Sequence, residues 1–210
     1  MIIDCHSHRP APYPEGIICV GPADFSPAEG QLYSVGIHPW DAAAATPEAL
    51  EALRAMAALP QVVAIGETGI DTLKGAPMFR LLPAFRAQAE IAESAGKPLV
   101  IHDVRGHDMI LAMYKDMKPR QPWVIHGFRG KPTVAAMLAL PGIYFSFGEK
   151  FNAESLRAVP AELRLAETDD SVLTIEDILA AQANAAGMAA DAYTALIAAN
   201  TAAVFGLQSE

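Results

Sequence analysis

The chain has 210 residues, with 24 acidic and 15 basic side chains and a formal charge of −9 at pH 7. That length fits one domain over residues 1–210, and 52% hydrophobic against 19% charged residues excludes a disordered chain. A strongly basic nucleic-acid-binding module is excluded too, although a local site can oppose the global charge.

Met1 leads straight into Ile2-Ile3-Asp4, with no basic stretch or long apolar run before the first acid. Neither an export leader nor a membrane anchor is expected from that pattern. The two cysteines, Cys5 and Cys19, suit a reduced, cytoplasmic setting in which both are packed inside.

Eight short apolar runs follow, each ending in a turn signal or an ionisable residue. Ile2-Ile3 closes on Asp4-Cys5-His6, Ile17–Val20 on Gly21, and Leu32–Val35 on Gly36-Ile37-His38. Val62–Ile65 closes on Gly66-Glu67, Leu99–Ile101 on His102, and Trp123–Ile125 on His126. Ile143–Phe147 closes on Gly148, and Leu163–Ala166 on Glu167-Thr168-Asp169.

Several spacers read as helices: Pro47–Leu59, with Thr46 as cap and an apolar stripe at Leu50, Leu53, Met56 and Ala57; Pro83–Ala95; His107–Met117; and Thr133–Leu140. Strand and helix alternate, which predicts a (β/α)8 TIM barrel. The first two spacers break the pattern. Pro10, Pro12 and Pro14 fill one, and Pro22, Pro27 and Gly30 the other, so no full helix fits after strands 1 and 2. Of two C-terminal helices, near Ile175–Ala186 and Ala190–Ala203, one is the expected cover for that gap, or else a second subunit in a homodimer. Gln182, Asn184, Asp191 and Asn200 interrupt this Ala-rich tract and argue against a membrane span.

In a barrel of this kind the chemistry gathers at the C-terminal ends of the strands. Those ends carry His6, His8, Glu67, His102, His126 and Asp169. The two-residue spacing of His6 and His8 places both rings on one strand face, with Asp4 in line beneath them. Four imidazoles and two carboxylates exceed the needs of one tetrahedral zinc. They suit two divalent cations sharing a carboxylate, with a water in the open position. Mixed nitrogen and oxygen ligands fit Zn, Mn, Co or Fe, and Mg less naturally. His38 borders the same mouth, as a substrate contact or a loop-fixing hydrogen bond. Arg105, Arg129 and Lys150 follow strands 5, 6 and 7 and offer positive charge to an anionic substrate. Asp71, in Gly69-Ile70-Asp71, reads as a supporting residue or a turn former.

These segments resemble the TatD family of metal-dependent hydrolases, among the amidohydrolase-like barrels. The matching residues are Asp4-Cys5-His6-Ser7-His8, Gly36-Ile37-His38-Pro39, Ile65-Gly66-Glu67-Thr68-Gly69-Ile70-Asp71, Phe85-Arg86-Ala87-Gln88, Pro98–His102, His126–Gly130 and Glu167-Thr168-Asp169, with Asn200-Thr201 and Phe205-Gly206 near the end. The resemblance implies one cation on His6, His8, Glu67 and Asp169, and a second on Glu67, His102 and His126, bridged by Glu67. It also implies hydrolysis of phosphodiester bonds in DNA, often from an end. Three positions depart from the family. Val104 and then Arg105 stand where the family has an Arg two residues beyond the strand-5 His. Arg129 replaces a Ser after His-x-Phe, and Asp170-Ser171 replaces Ala-Pro.

Asp169 is the expected base, taking a proton from the attacking water. The substrate this implies is a DNA end or other short phosphodiester, since an acidic chain disfavours a salt-sensitive grip on long nucleic acid. Two other readings stand beside it: a hydrolase of a small amide, ester or lactone, and a metal-binding protein without catalysis. The intact Asp169 argues against the last.

Overall fold

The eight apolar runs become eight parallel strands, hydrogen-bonded in sequence order and closed by the last on the first. The computed structural model describes residues 2–207. The strands are β1 (Asp4–Ser7), β2 (Gly16–Val20), β3 (Leu32–Val35), β4 (Val62–Asp71), β5 (Leu99–Val104), β6 (Trp123–Ile125), β7 (Ile143–Phe147) and β8 (Arg164–Ala166). Cys5, Ile17, Ala64, Val100, Val124 and Leu165 meet in one buried cluster drawn from six of the strands, which is the barrel's interior floor. Their strand neighbours, such as Ile18, Ile65, Ile101, Trp123 and Phe145, pack outward against the helical shell.

The helices are α1 (Pro47–Ala57), α2 (Met78–Ala95), α3 (His107–Met117), α4 (Pro132–Leu138), α5 (Ala153–Ala158), α6 (Ile175–Ala186) and α7 (Ala190–Phe205). Thr46 caps α1 by accepting the Ala49 N–H at 3.2 Å, as its sequence predicts. α2 starts five residues before the expected Pro83. Leu81 and Ala84 pack on Ala42 of a short 3-10 helix, Pro39–Ala44, and that burial extends the helix through the proline. α5 was not legible in the sequence. Its six residues are too few to show a period, and its start is fixed by Asn152, whose side chain accepts from Glu154 and Ser155.

The gap beside β1 and β2 is closed differently from the expectation. α6 and α7 pack on β8, α7 also meets Ile3 ahead of β1, and its Val204 and Phe205 join the interior cluster with Cys5 and Ile17 from below. The outer side of β2 is covered by the proline-rich segments themselves. Tyr13 lies over Gly16, where a Cβ would collide with its ring, and Phe25 meets Tyr33 edge-on at 5.3 Å between ring centres. Two aromatic anchors, one from each segment, therefore do what helices do elsewhere. Tyr13→Ala is expected to cost about 3 kcal/mol of unfolding free energy, and Tyr13→Phe about 1 kcal/mol, because only the hydroxyl's bond to Asp4 is lost. Urea denaturation checks both; an unchanged midpoint in Tyr13→Ala would refute this role.

Among the described residues no single helix is long and apolar enough to cross a membrane, and α6 and α7 meet at 109°. Cys5 and Cys19 are both free and buried.

Candidate metal centre

Side chains two positions beyond the interior floor point back into the barrel one layer higher. Ile17 leads to Cys19, Val100 to His102, Val124 to His126 and Leu165 to Glu167. β1 and β4 reach the same layer by other offsets, from Cys5 to His6 and from Ala64 to Glu67. Each has a register irregularity at that place, between Asp4 and Ser7 and between Ile65 and Thr68. Such irregularities swap the faces of a strand and re-aim its side chains. Gly36 and Gly66 permit this at β4, because a Cβ on Gly36 would stand 2.5 Å from Gly66 and one on Gly66 would strike Val100.

Glu67 is the hub. Its Oε1 lies 2.6 Å from His102 Nδ1, 2.7 Å from His126 Nε2 and 3.3 Å from His38 Nε2. Its Oε2 lies 3.5 Å from His6 Nε2 and 3.6 Å from His8 Nε2. Asp169 Oδ1 faces the same two histidines at 3.9 and 3.7 Å. All six residues expected to bind metal thus converge. Asp169 is held with φ 53° by a hydrogen bond to the His6 carbonyl and another from the His8 N–H. That left-handed conformation, uncommon outside glycine but tolerated by Asp, joins β8 to β1 and aims the carboxylate inward.

Histidines and carboxylates so placed fit a divalent cation, and the test is what they lack. His6 is fully buried, and neither of its ring nitrogens has a hydrogen-bond partner. His102 Nε2, His126 Nδ1 and both Glu167 oxygens are likewise unpaired. Leaving so many buried polar atoms unpartnered is costly unless they serve a ligand. Glu167 Oε1 stands 3.4 Å from His126 Nδ1, without hydrogen-bond geometry, and turns Nε2 of that ring toward Glu67. Asp71 lies 3.5 Å behind His102 Nε2 in the same manner.

His38 differs from the other four. Its Nδ1 accepts the Trp40 N–H at 3.2 Å, so in the neutral ring Nε2 carries the proton. It therefore faces Glu67 as a donor, and its bond to Trp40 is the loop-fixing role of the two that its position suggested.

Asp4 does not lie in line beneath the imidazoles as its spacing predicted. The irregularity after it turns its carboxylate away, onto the Tyr13 hydroxyl at 2.9 Å, the Thr168 hydroxyl at 2.6 Å and the Thr168 N–H at 3.0 Å. Burial raises its pKa to about 6 in spite of those bonds. Asp71 both supports and turns. It accepts Trp40 Nε1 at 2.8 Å and the Leu73 and Lys74 N–H groups at 2.8 Å. Those bonds hold its pKa at about 2 against the opposing effect of burial. Gln88 on α2 braces the wall behind Glu67, bonding Ile37 N–H and C=O and the Thr68 hydroxyl.

Two clefts open on the cluster. One, of about 410 Å³, is walled by His102, His126 and Asp169 together with Arg105, His107 and Arg129. Arg105, at φ 56°, owes its place there to a left-handed loop residue. Lys150 lines a much smaller groove with Arg129, Glu149 and Asp170, which also reaches Glu167 and Asp169. The other cleft, of about 540 Å³, runs from His8, His38 and Glu67 past Cys19, Val20, Pro22 and Ile37, with Asp24 and Asp41 also lining it. Sequence reasoning overlooked Glu167, Cys19, Gln88 and the half-exposed Trp40. The alternation from Ile17 and Leu165 was the signal that places the first two.

Charge balance in the cluster follows its geometry. Burial alone would lower His126, but Glu67 and Glu167 outweigh it and raise its pKa well above the usual imidazole range. Glu67 is lowered well below the ordinary carboxylate range, because His126 charge and bonds from His102, His126 and His38 overcome its burial. A cation needs these imidazoles neutral, so its binding expels the His126 proton. Cation binding should then release at least one proton per chain and weaken as pH falls. Calorimetry in buffers of different ionisation enthalpy reads this; no proton release would contradict it.

A closed parallel barrel with histidines and carboxylates gathered at its C-terminal mouth places the chain among TIM barrels built to hold divalent metal. A family model of TatD related DNases matches residues 27–206, and the chain belongs to that family. It is 32% identical over 155 residues to the 3'-5' ssDNA/RNA exonuclease TatD of Klebsiella pneumoniae, an alignment covering 69% of this chain and 59% of that protein. The chain therefore spans about three fifths of the length of the curated relatives it matches. Among solved structures it is similar to the TatD homologue YJJV from Escherichia coli, with TM-score 0.83 and 19% identity over 99% of this chain and 98% of that one. A TatD family hydrolase from Entamoeba histolytica gives TM-score 0.78 and 13% identity over 99% and 98%. These two likenesses concern the fold.

Proposed function

We propose that the chain hydrolyses phosphodiester bonds at the ends of short single-stranded nucleic acid, using two divalent cations. The observation that carries this reading is the cleft in which Arg105 and Arg129 adjoin the cluster, with Asp103 also on its wall. Arg105, His107 and Arg129 line the same wall as His102, His126 and Asp169, so a phosphate gripped by the guanidinium groups lies beside the cluster. The exonuclease activity named for the Klebsiella pneumoniae relative agrees with it.

His6, His8, Glu67 and Asp169 would hold one cation, and Glu67, His102 and His126 the other, with Glu67 between them. Bound there, divalent cations polarise a phosphoryl oxygen and acidify water. Asp169 is assigned the proton. Its side chain is 22% exposed, whereas that of Glu67 is 6% exposed and saturated by His102 and His126. A water arriving from the cleft meets Asp169 as the accessible base. The Nε2–H of His38 donates to Glu67 or to a substrate oxygen. Trp40, 51% exposed and 4.7 Å from the His38 ring, offers a stacking face to a terminal base.

A second reading, hydrolysis of a small amide, ester or lactone, has the other cleft in its favour, where Val20, Pro22, Ala23, Ile37, Ala44 and Ala49 form an apolar wall. A labelled single-stranded oligonucleotide with added Mn or Mg separates the two. Trimming that chelation stops is expected. Hydrolysis of esters or lactones with the oligonucleotide left intact would favour the second reading.

A further inference from the structure

Of the two cysteines, only one belongs to the barrel's packing. Cys5 lies in the interior floor among Ile17, Ala64, Val100, Val124 and Leu165, and its sulfur pairs with the Ser146 hydroxyl at 3.0 Å. Cys19 stands one layer higher, at the end of β2, and lines the cleft with His8, His38 and Glu67. Its Sγ, a nitrogen each of His6 and His8, and a Glu67 oxygen all lie within 4.8 Å of one another. His6, fully buried with Nε2 unpaired, points into this same group.

The spacings around Glu67 suit a cation. His6 and His8 Nε2 lie 3.5 and 3.6 Å from its Oε2. Bonds of about 2.1 Å at tetrahedral angles place ligand atoms about 3.4 Å apart. A divalent cation at that centre would displace the thiol's proton to solvent and take the thiolate as a ligand.

We propose that Cys19 is a thiolate ligand of the cation that His6, His8, Glu67 and Asp169 would hold, so that this site selects thiophilic cations such as zinc over magnesium. The inference rests on the cation-binding reading above and adds to it a soft ligand, which zinc and cobalt accept and magnesium does not.

Cobalt(II) loaded into the chelated full-length protein gives a test independent of catalysis. Visible ligand-field bands report that cobalt is bound, and a near-ultraviolet sulfur-to-cobalt charge-transfer band reports a thiolate on it. Both are expected in the wild type and in Cys5→Ser. Cys19→Ser should keep the visible bands and lose the charge-transfer band. Visible bands without charge transfer in the wild type, or charge transfer that survives Cys19→Ser, would overturn the thiolate ligand and leave the cation site standing. Absence of both bands would overturn the cation site and the thiolate with it. Zinc-edge X-ray absorption of the wild type needs no variant. A sulfur scatterer in the first coordination sphere is expected, and a sphere of nitrogen and oxygen alone would refute the proposal.

Discussion

Asp169→Asn is expected to lower phosphodiester hydrolysis about 10²- to 10⁴-fold at saturating cation, the range that a positioned general base contributes. Asn keeps the size of Asp and tolerates the left-handed backbone that Asp169 adopts at φ 53°. Its backbone bonds to His6 and His8 are unaffected, so the join between β8 and β1 survives. What the amide cannot do is take a proton from water. The loss should fall on kcat, with the circular dichroism spectrum unchanged. A variant with wild-type kcat would move the base elsewhere, and Glu67 is too enclosed by histidines to replace it.

The second large effect concerns Glu67, which the other ligands surround. A cation that binds only the folded chain stabilises it by about 2.7 kcal/mol at a hundred times its Kd. For a domain of this size each kcal/mol raises Tm by about 2–4 °C. Saturating zinc or manganese should therefore raise the wild-type Tm by about 5–11 °C for each such site. Glu67→Gln should lose most of that rise, together with activity, because the amide has no charge to share between cations. The metal-free Tm of the variant is expected to fall as well, since His126 loses the carboxylate 2.7 Å from its Nε2. A full cation-induced shift in Glu67→Gln would contradict the bridging role.

The strands, and the residues at their ends, were legible because most of the apolar runs close on a side chain that faces the site. The floor-to-mouth step of two residues explains His102 and His126 directly. It failed at Asp4, where a pairing irregularity that leaves no mark in composition turns the side chain outward. It also passed over Cys19 and Glu167, which obey the same step but were masked by a cysteine's usual burial and by the better-known Asp169 beside it. The covering of β2 was illegible for a different reason. A helix announces itself by period, whereas Tyr13 and Phe25 act singly, from proline-rich segments whose shape is set by tertiary contact.

The acidic balance takes on a local meaning at this site. With −9 overall, the chain repels a long polyanion. On the proposed reading, two divalent cations, with Arg105 and Arg129 on the adjoining wall, would make the mouth positive toward a single phosphate. Binding should then favour strand ends, with a modest salt dependence.

Equilibrium dialysis of the chelated protein against zinc or manganese, followed by elemental analysis, tests the central claim most directly. Two divalent cations per chain are predicted, with most of that uptake lost in Glu67→Gln. A folded wild-type protein that takes up no divalent cation would contradict it.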